Sequence, residues 1–398
     1  MRQKLFFALL YFAEGAPIGF IWWALPAILT ERGFPLDEVS NLMALAVIPW
    51  SFKFIFGPLV DNLSYRGISV KFQLFFFQLL MGASALAFGY YIDLGDLSGL
   101  TVVVLLHATC AAAQDICIDT LAIRSVDPKE LGSVNGYMQA GVLVGRSLFG
   151  GVSLYLVHSL GLSPLIFILA SCIWVTTLCL FFSGLDEKSS EQSIGLSEYF
   201  VKLKELFSIP KTWVLISATF FAGFAFKGIS GVDSAALVTI GVPEGDRSFL
   251  FAVLIPALML IGALVGGYCS DKWNKQRALN WFILFSSVMS LFYGLIFDVL
   301  ETGWIMYLVV SLFYLGIGLI TASLYAYLMG HTKKMFAAFE FSLFMAAINM
   351  SESVCTWFSG AYSEEWGFTL TVLPQVIFAL IAIWCLRWVA ARETRQLV

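Results

Sequence analysis

The sequence has little charge and few of the residues that build metal, redox or catalytic sites. Only 13% of its 398 residues are Asp, Glu, Lys or Arg, about half the share in an ordinary soluble domain, which excludes a water-soluble globular protein. The 3 histidines are scattered and the 7 cysteines lie in apolar stretches without a C-x-x-C pair, so we expect no metal. Phosphate loops, nucleophile elbows and H-E-x-x-H pairs are also missing. We therefore predict no enzyme activity and no cofactor.

Apolar and aromatic residues are abundant instead. Hydrophobic residues make up 59% of the chain, with 37 Phe, 14 Tyr and 12 Trp, a composition that suits a lipid bilayer with Trp and Tyr at its surfaces. A helix needs about 20 apolar residues to cross a bilayer. The runs of suitable length are 4–29, 39–61, 70–92, 98–124, 130–158, 164–184, 210–240, 247–271, 276–298, 303–330, 335–362 and 367–390. The sequence thus predicts an all-α polytopic membrane protein with twelve transmembrane helices.

The distribution of basic residues predicts the orientation of these spans. Basic residues number 23 against 27 acids, which leaves no surplus for a nucleic-acid partner. If the N-terminus is cytoplasmic, eighteen of the 23 fall in cytoplasmic segments, two in outer loops (Arg32 and Arg247) and three within spans. Because cytoplasmic loops carry the excess of Lys and Arg, we expect both termini in the cytoplasm and the protein in a plasma membrane, as in the bacterial inner membrane.

One hydrophilic break and one repeat divide the chain into two halves. The break covers 186–209, so we predict an N-terminal six-helix half over 1–185, a cytoplasmic linker over 186–209 and a C-terminal six-helix half over 210–398. Gly57-x-x-x-Asp61 recurs 210 residues later as Gly267-x-x-x-Asp271-Lys272. Duplicated halves are common in transporters. Glycine permits close helix approach, and an Asp at the membrane edge can interact with a helix N-terminus, so we predict a gate at these residues.

The repeated Gly-x-x-x-Asp loops resemble the signature loop of the major facilitator superfamily. A narrower resemblance covers about 12–151: Gly15-x-Pro17, the segment Phe52-Lys53-Phe54-Ile55-Phe56-Gly57-Pro58-Leu59-Val60-Asp61, and Gln114-Asp115-Ile116-x-x-Asp119 are similar to motifs of AmpG-type muropeptide permeases and acetyl-CoA transporters. The resemblance implies two pseudo-symmetric six-helix halves. It also implies a bulky, partly anionic solute such as a muropeptide or an acyl-CoA-like molecule, carried by proton symport. Gln114, Asp119 and Arg124 are interpreted as part of the gate.

Ionisable residues within the spans are candidates for function, because charges in hydrocarbon are costly and usually face a cavity or a partner. The spans hold three bases (Lys53, Arg146 and Lys227) and six acids (Glu14, Asp115, Asp119, Asp233, Glu340 and Glu352). Asp115 and Asp119 share a helix face, as do Asn349 and Glu352. An excess of three acids leaves carboxyl groups without a basic partner.

Two interpretations of these residues remain open. In the functional one, Lys53, Arg146, Lys227, Trp22 and Asn349 bind an anionic solute, while Asp115, Glu352 or Glu14 carries the coupling proton. In the structural one, the charges pair between helices, for example Lys53 with Asp115. The glycines of span 5, from Gly132 to Gly151, are interpreted as helix-packing residues.

These features favour a monomeric, alternating-access secondary transporter whose partners are a small-molecule solute, a proton and the lipid bilayer. One alternative is a non-transporting membrane assembly or scaffold protein of the same fold, although such a protein has little need for nine ionisable residues in its spans. Another is a lysophospholipid flippase, which needs a laterally open apolar groove.

Overall fold

The computed structural model of the chain describes residues 2–126, 131–181, 201, 204–300, 302–331 and 337–396. Within these ranges the ordered elements are helices, and no strand is formed. Ten helical segments of the described chain are long and apolar enough to cross a membrane. The prediction of an all-α polytopic membrane protein is therefore confirmed.

Eighteen α-helices are labelled here in chain order, with short π or 3₁₀ turns between some of them. They are α1 Arg2–Gly19, α2 Leu25–Glu31, α3 Leu36–Ser51, α4 Phe56–Tyr65, α5 Val70–Leu94, α6 Leu97–Ser125, α7 Leu131–Arg146, α8 Ser153–Leu160, α9 Leu162–Phe181, α10 Pro210–Gly223, α11 Lys227–Ser230, α12 Asp233–Thr239, α13 Glu244–Phe249, α14 Ile255–Lys272, α15 Lys275–Asp298, α16 Trp304–Met329, α17 Ala337–Trp366 and α18 Phe368–Gln396.

Two of the twelve predicted spans are helical but fall short of the length or hydropathy of the other ten. The predicted span 210–240 is divided into α10, α11 and α12 by turns at 224–226 and 231–232. The predicted span 335–362 corresponds to α17, which is continuous from Ala337 but carries Asn349, Ser351 and Glu352 near its middle. In both spans, polar side chains or backbone groups without helical hydrogen bonds lie at membrane depth. Such groups are tolerated there only where they face protein or a cavity.

The first compact unit contains Met1–Leu25 and Phe52–Leu203. Its core joins α1, α5, α6 and α7 through fully buried side chains such as Phe7, Leu74 and Ile118. In this unit α1 packs along α7, and α5 packs against both α6 and α9. Burying apolar side chains between helices leaves the polar groups of α1 and α6 facing each other, and these form the site described below.

Gly141 and Gly145 bring α1 and α7 into backbone contact, which confirms the packing interpretation for these two glycines of span 5. A Cβ added to Gly145 would lie 2.6 Å from the Ala16 nitrogen and 2.7 Å from the Phe12 carbonyl oxygen. Gly141 contacts Ala8 in the same way. Only residues without a side chain permit this approach.

We therefore expect Gly145→Ala to destabilise the protein by about 1–3 kcal/mol, the usual cost of overpacking, because backbone atoms cannot move aside as a flexible side chain can. Gly57→Ala is the matched control, since a Cβ at Gly57 meets no described atom within 4 Å. Thermal unfolding of the purified variants in detergent measures both. An equal effect of the two substitutions would contradict the packing role of Gly145.

The second compact unit contains Pro26–Ser51 and Lys204–Val398. Here α3 packs along α17, and the Ser353 hydroxyl donates a hydrogen bond to the Ala44 carbonyl oxygen at 2.6 Å. Further pairs in this unit are α14 with α16 and α10 with α18. Buried Arg247 forms an ion pair with Glu31 and donates from Nε to the Val242 carbonyl oxygen.

The predicted domain boundaries at 185, 186–209 and 210 stay a prediction. Most of the predicted linker, 186–200 and 202–203, lies outside the described residues.

Candidate functional site

Five polar side chains meet between α1, α6 and the turn after α3, and we call this group the first polar cluster: Tyr11, Glu14, Lys53, Asp115 and Asp119. Lys53 Nζ forms an ion pair with Asp115 Oδ2 at 2.9 Å, which confirms the predicted pairing. The Tyr11 hydroxyl lies 2.5 Å from Asp119 Oδ1 and 3.2 Å from Asp115 Oδ1. One tyrosine therefore bridges the two aspartates that share a face of α6.

An interruption of the helix between α3 and α4 places Lys53 in this cluster. Helix α3 ends at Ser51, and a 3₁₀ turn covers Lys53–Ile55 before α4 begins at Phe56. Pro49 and Pro58 flank the break, and each removes a backbone donor and disfavours a continuous helix. The 3₁₀ turn lies against α6, so the lysine at its start reaches Asp115 across one helix interface.

The first polar cluster holds three carboxyl groups against one ammonium group. Glu14 is buried with 6% of its surface exposed, and its Oε2 atom has no hydrogen-bond partner among the described residues. Glu14 lies within electrostatic range of Asp115, Lys53, Asp119 and Arg146. Three negative charges in an apolar surrounding are costly, and a proton shared among the carboxyl groups lowers that cost. The arrangement is thus able to hold and release a proton next to a partly buried cation.

Tyr11 is the functional candidate that the sequence analysis missed. It lies three residues before Glu14 on α1, a spacing that puts both on one helix face, and this spacing is the signal that could have found it. Aromatic residues are so frequent in this chain that a single tyrosine was interpreted only as part of the membrane composition.

Two π-helical turns lie near the other predicted solute contacts of the first unit. One covers Phe20–Ala24 and includes Trp22, and the other covers Ser147–Val152 and directly follows Arg146. The two turns contact each other. Such turns are frequent at functional sites because they displace side chains from the regular helical pattern, so Trp22 and Arg146 remain candidates.

The second unit holds a separate ion pair on its divided helix. Lys227, at the start of the short helix α11, pairs with Glu352 of α17, and the side chains are 20% and 13% exposed. The Lys227 ammonium also lies 5.5 Å from the centre of the Phe226 ring, which adds a cation–π attraction. Asn349 lies one turn before Glu352 on α17 and is partly buried. The structure thus brings together Lys227, which was predicted to bind solute, and Glu352, which was predicted to carry the coupling proton.

Asp233, the first residue of α12, forms a buried hydrogen-bonded group with two tyrosines of this unit. It is 1% exposed, and its Oδ2 atom accepts hydrogen bonds from the hydroxyls of Tyr314 at 2.6 Å and Tyr293 at 3.3 Å. Its Oδ1 atom has no hydrogen-bond partner among the described residues. Tyr314 also lies within electrostatic range of Glu352. The sequence analysis counted Asp233 among the acids within spans but gave it no role.

We expect Tyr314→Phe to lower the free energy of unfolding by about 1–3 kcal/mol, because it leaves a buried carboxyl group without its short hydrogen bond. Tyr293→Phe should cost less, since its bond is 0.7 Å longer (3.3 against 2.6 Å). Thermal unfolding of both variants in the same detergent gives the comparison. A larger loss for Tyr293→Phe would show that the Tyr314 bond is not what holds Asp233.

The predicted gate residues are only partly described. Gly57 lies in α4 and Gly267 in α14, but a Cβ at either position meets no described atom within 4 Å. The close approach predicted at Gly57 and Gly267 stays a prediction; in α14, Gly262 and Gly266 are glycines at which an added Cβ would meet the backbone of α16. The side chains of Asp61 and Asp271 lie outside the described part of the chain.

The other predicted gate residues occupy different environments. Gln114 is fully buried, and neither atom of its amide has a hydrogen-bond partner in the described ranges. Asp119 belongs to the first polar cluster through Tyr11. Arg124 lies in the last turn of α6, and Lys272 is exposed and lies 5.9 Å from the centre of the Tyr268 ring. Their role in gating stays a prediction.

Comparisons with known proteins identify the family to which the chain belongs. The family model of the Major Facilitator Superfamily matches residues 7–339. An uncharacterised protein of Haemophilus influenzae is 24% identical over 98% of this chain and 95% of its own length. A protein of Rickettsia typhi named putative transporter AmpG 3 is 23% identical over 76% of this chain and 75% of its own length. The crystal structure of a D-xylose-proton symporter matches 96% of this chain and 95% of its own with a TM-score of 0.74 at 11% identity.

The match covers most of the chain, and the fold is shared over nearly the whole length of a solved transporter. The helices that carry the first polar cluster, the ion pair of Lys227 and the buried Asp233 therefore belong to an integral membrane protein of known architecture. The chain is a member of the Major Facilitator Superfamily and a secondary transporter.

Proposed function

We propose that this transporter carries a bulky, partly anionic solute, of the muropeptide or acyl-CoA-like class, by symport with protons. The observation that carries the proposal is the partly buried ion pair of Lys53 and Asp115 beside two further carboxyl groups. A purely structural ion pair needs one acid for each base, whereas here three acids lie near Lys53, and the next base, Arg146, lies within electrostatic range of Glu14. The relative from Rickettsia typhi named a putative AmpG transporter supports the solute class.

In the proposed mechanism, the Asp115 carboxylate and the anionic solute compete for the same lysine, Lys53. While Asp115 is ionised it holds Lys53 in the 2.9 Å pair. A proton taken up by Asp115 removes that attraction, and the ammonium group becomes able to bind a carboxylate or phosphate of the solute. Tyr11, which contacts both Asp115 and Asp119, offers a hydroxyl path between the two carboxyl groups. Binding of the anion is then favoured only when a proton is also bound, which is symport.

The second unit contributes a cation of the same kind. Lys227 pairs with Glu352, so this lysine is also available to an anion when its acid is protonated. Glu352 and Glu14 are the alternative proton carriers, and Arg146, Trp22 and Asn349 are further solute contacts in the proposal. The partners are thus a small-molecule solute, protons and the bilayer, and the functional form is a monomer.

A binding screen tests the solute class. The purified protein is heated in detergent with muropeptides, coenzyme A esters, folates and lysolipids, because a ligand that binds only the native state raises the unfolding midpoint. At a ligand concentration of 100 times Kd the stabilisation is about 2.7 kcal/mol. Selective stabilisation by lysolipids or by none of these compounds would reject the proposed class, and the latter result would favour an assembly or scaffold role.

The orientation of the protein in the bacterial inner membrane is tested by reporter fusions. We expect fusions after residue 190 and at the C-terminus to report the cytoplasm, because eighteen of the 23 basic residues lie on that side in the proposed topology. A fusion at Arg32, which lies in an outer loop of that topology, should report the opposite side. A periplasmic signal after residue 190 would overturn the arrangement.

A further inference from the structure

A groove in the second unit has a lining that includes neither the Lys227 pair nor Asp233. It has a volume of about 740 Å³ and is lined by the end of α14, the first three turns of α15 and one residue of α16: Lys272, Trp273, Asn274, Arg277, Trp281, Phe282, Phe285 and Leu319. This size is within the range of small-molecule sites. We call it the basic groove.

The lining changes from charged to apolar along α15. Arg277, Trp281 and Phe285 follow each other at intervals of four residues and so share one face of the helix. From Arg277 to Phe285 the helix rises roughly 12 Å. Trp281 is 61% exposed, whereas Leu319 at the apolar end is 8% exposed. The order is therefore base, indole, then hydrocarbon, which is the order of polarity along a phospholipid from its headgroup to its acyl chains.

The charge of the groove selects the type of headgroup. Its described lining contains two bases, Lys272 and Arg277, and no acid. Both side chains are exposed, and among the described side chains neither forms an ion pair. Asn274 holds the turn by accepting a hydrogen bond from the Arg277 backbone nitrogen at 3.2 Å. Lys272 and Arg277 thus lie on a fixed turn beside exposed indoles. Each base near a membrane surface attracts anionic lipid, so the pair matches a phosphate group of a lipid with net negative charge.

We propose that the basic groove binds one anionic phospholipid, with the phosphate between Lys272 and Arg277, the glycerol region beside the Trp273 and Trp281 indoles, and an acyl chain along Phe285 and Leu319. Trp rings are amphipathic and favour this interfacial depth. The lipid is thus a bound ligand of the transporter, distinct from its solute.

Native mass spectrometry of the purified full chain in detergent tests this proposal. We expect adducts of phosphatidylglycerol to survive at energies that remove phosphatidylcholine, and the variant Lys272→Gln/Arg277→Gln to bind phosphatidylglycerol at least about tenfold more weakly, since each base contributes on the order of 1 kcal/mol. Lys275→Gln is the matched control, because Lys275 is an exposed base on the same turn that does not line the groove.

A second pair of variants tests the apolar part. Trp281→Ala should weaken the adduct several-fold, whereas Trp304→Ala should not, since Trp304 is 73% exposed, begins α16 and does not line the groove. Inorganic phosphate and glycerol 3-phosphate are titrated in parallel by thermal shift. Equal retention of phosphatidylcholine, an unchanged adduct in Lys272→Gln/Arg277→Gln, or stabilisation by phosphate alone that matches that by the lipid would each overturn the proposal.

Discussion

Asp115→Asn should abolish proton-driven accumulation of solute while leaving solute exchange intact. A neutral amide imitates the protonated carboxyl, so Lys53 stays available to the anion but no proton is taken up or released. With one proton per solute, a pH difference of one unit allows at most about tenfold accumulation, and we expect this ratio to fall to about one. Proteoliposomes that hold the purified protein, with an imposed pH gradient, measure accumulation, and counterflow of labelled solute measures exchange.

Two further variants make this result specific. Asp93→Asn removes an exposed carboxylate of the same unit and should leave accumulation unchanged. Lys53→Ala should instead weaken solute binding by about 10- to 100-fold, as expected when a charged hydrogen bond is lost. If Asp115→Asn vesicles still concentrate solute against its gradient, Asp115 is not the coupling residue and the role passes to Glu352 or Glu14.

Removing Lys227 alone should have the second large effect, on stability as well as on transport. Lys227→Met leaves Glu352, whose side chain is only 13% exposed, without its cation, and the loss of one partner from a buried pair typically costs up to about 3–5 kcal/mol. The double variant Lys227→Met/Glu352→Met removes both charges, and we expect it to recover most of the lost stability. Thermal unfolding of Lys227→Met, Glu352→Met and the double variant, each compared with the unsubstituted protein, forms a complete mutant cycle.

Transport separates a structural role of this pair from a binding role. If Lys227 binds the anionic solute, uptake stays at least about 100-fold lower in the double variant, although the protein is stable again. Lys275→Met, which removes an exposed base of the same unit, should transport normally. A double variant that is stable and fully active would assign the pair to helix packing alone.

The sequence predicted the helices well because each span depends on local hydrophobicity, which a run of residues carries by itself. The pair of Lys53 and Asp115 could also be predicted from the sequence, because so few charges lie in the spans that each base has few possible partners. Tyr11 could have been found only from its spacing to Glu14, and the role of Asp233 could not be predicted, since it depends on which helices touch. The same limit applies at Gly57 and Gly267: a glycine shows that close approach is allowed, not that a neighbour is present, so the close approach there stays a prediction.

The pairing of α3 with α17 has a consequence for folding during synthesis. The hydrogen bond from Ser353 to Ala44 joins residues 309 positions apart, and a ribosome that adds about 5–20 residues per second needs roughly 15–60 s to cover that distance. Helix α3 buries a full face, from Leu36 through Met43 to Trp50, yet this face has no α17 to cover it during that interval. The second unit therefore reaches its native packing only late in translation, and a chain truncated before α17 would keep an early hydrophobic helix without its partner.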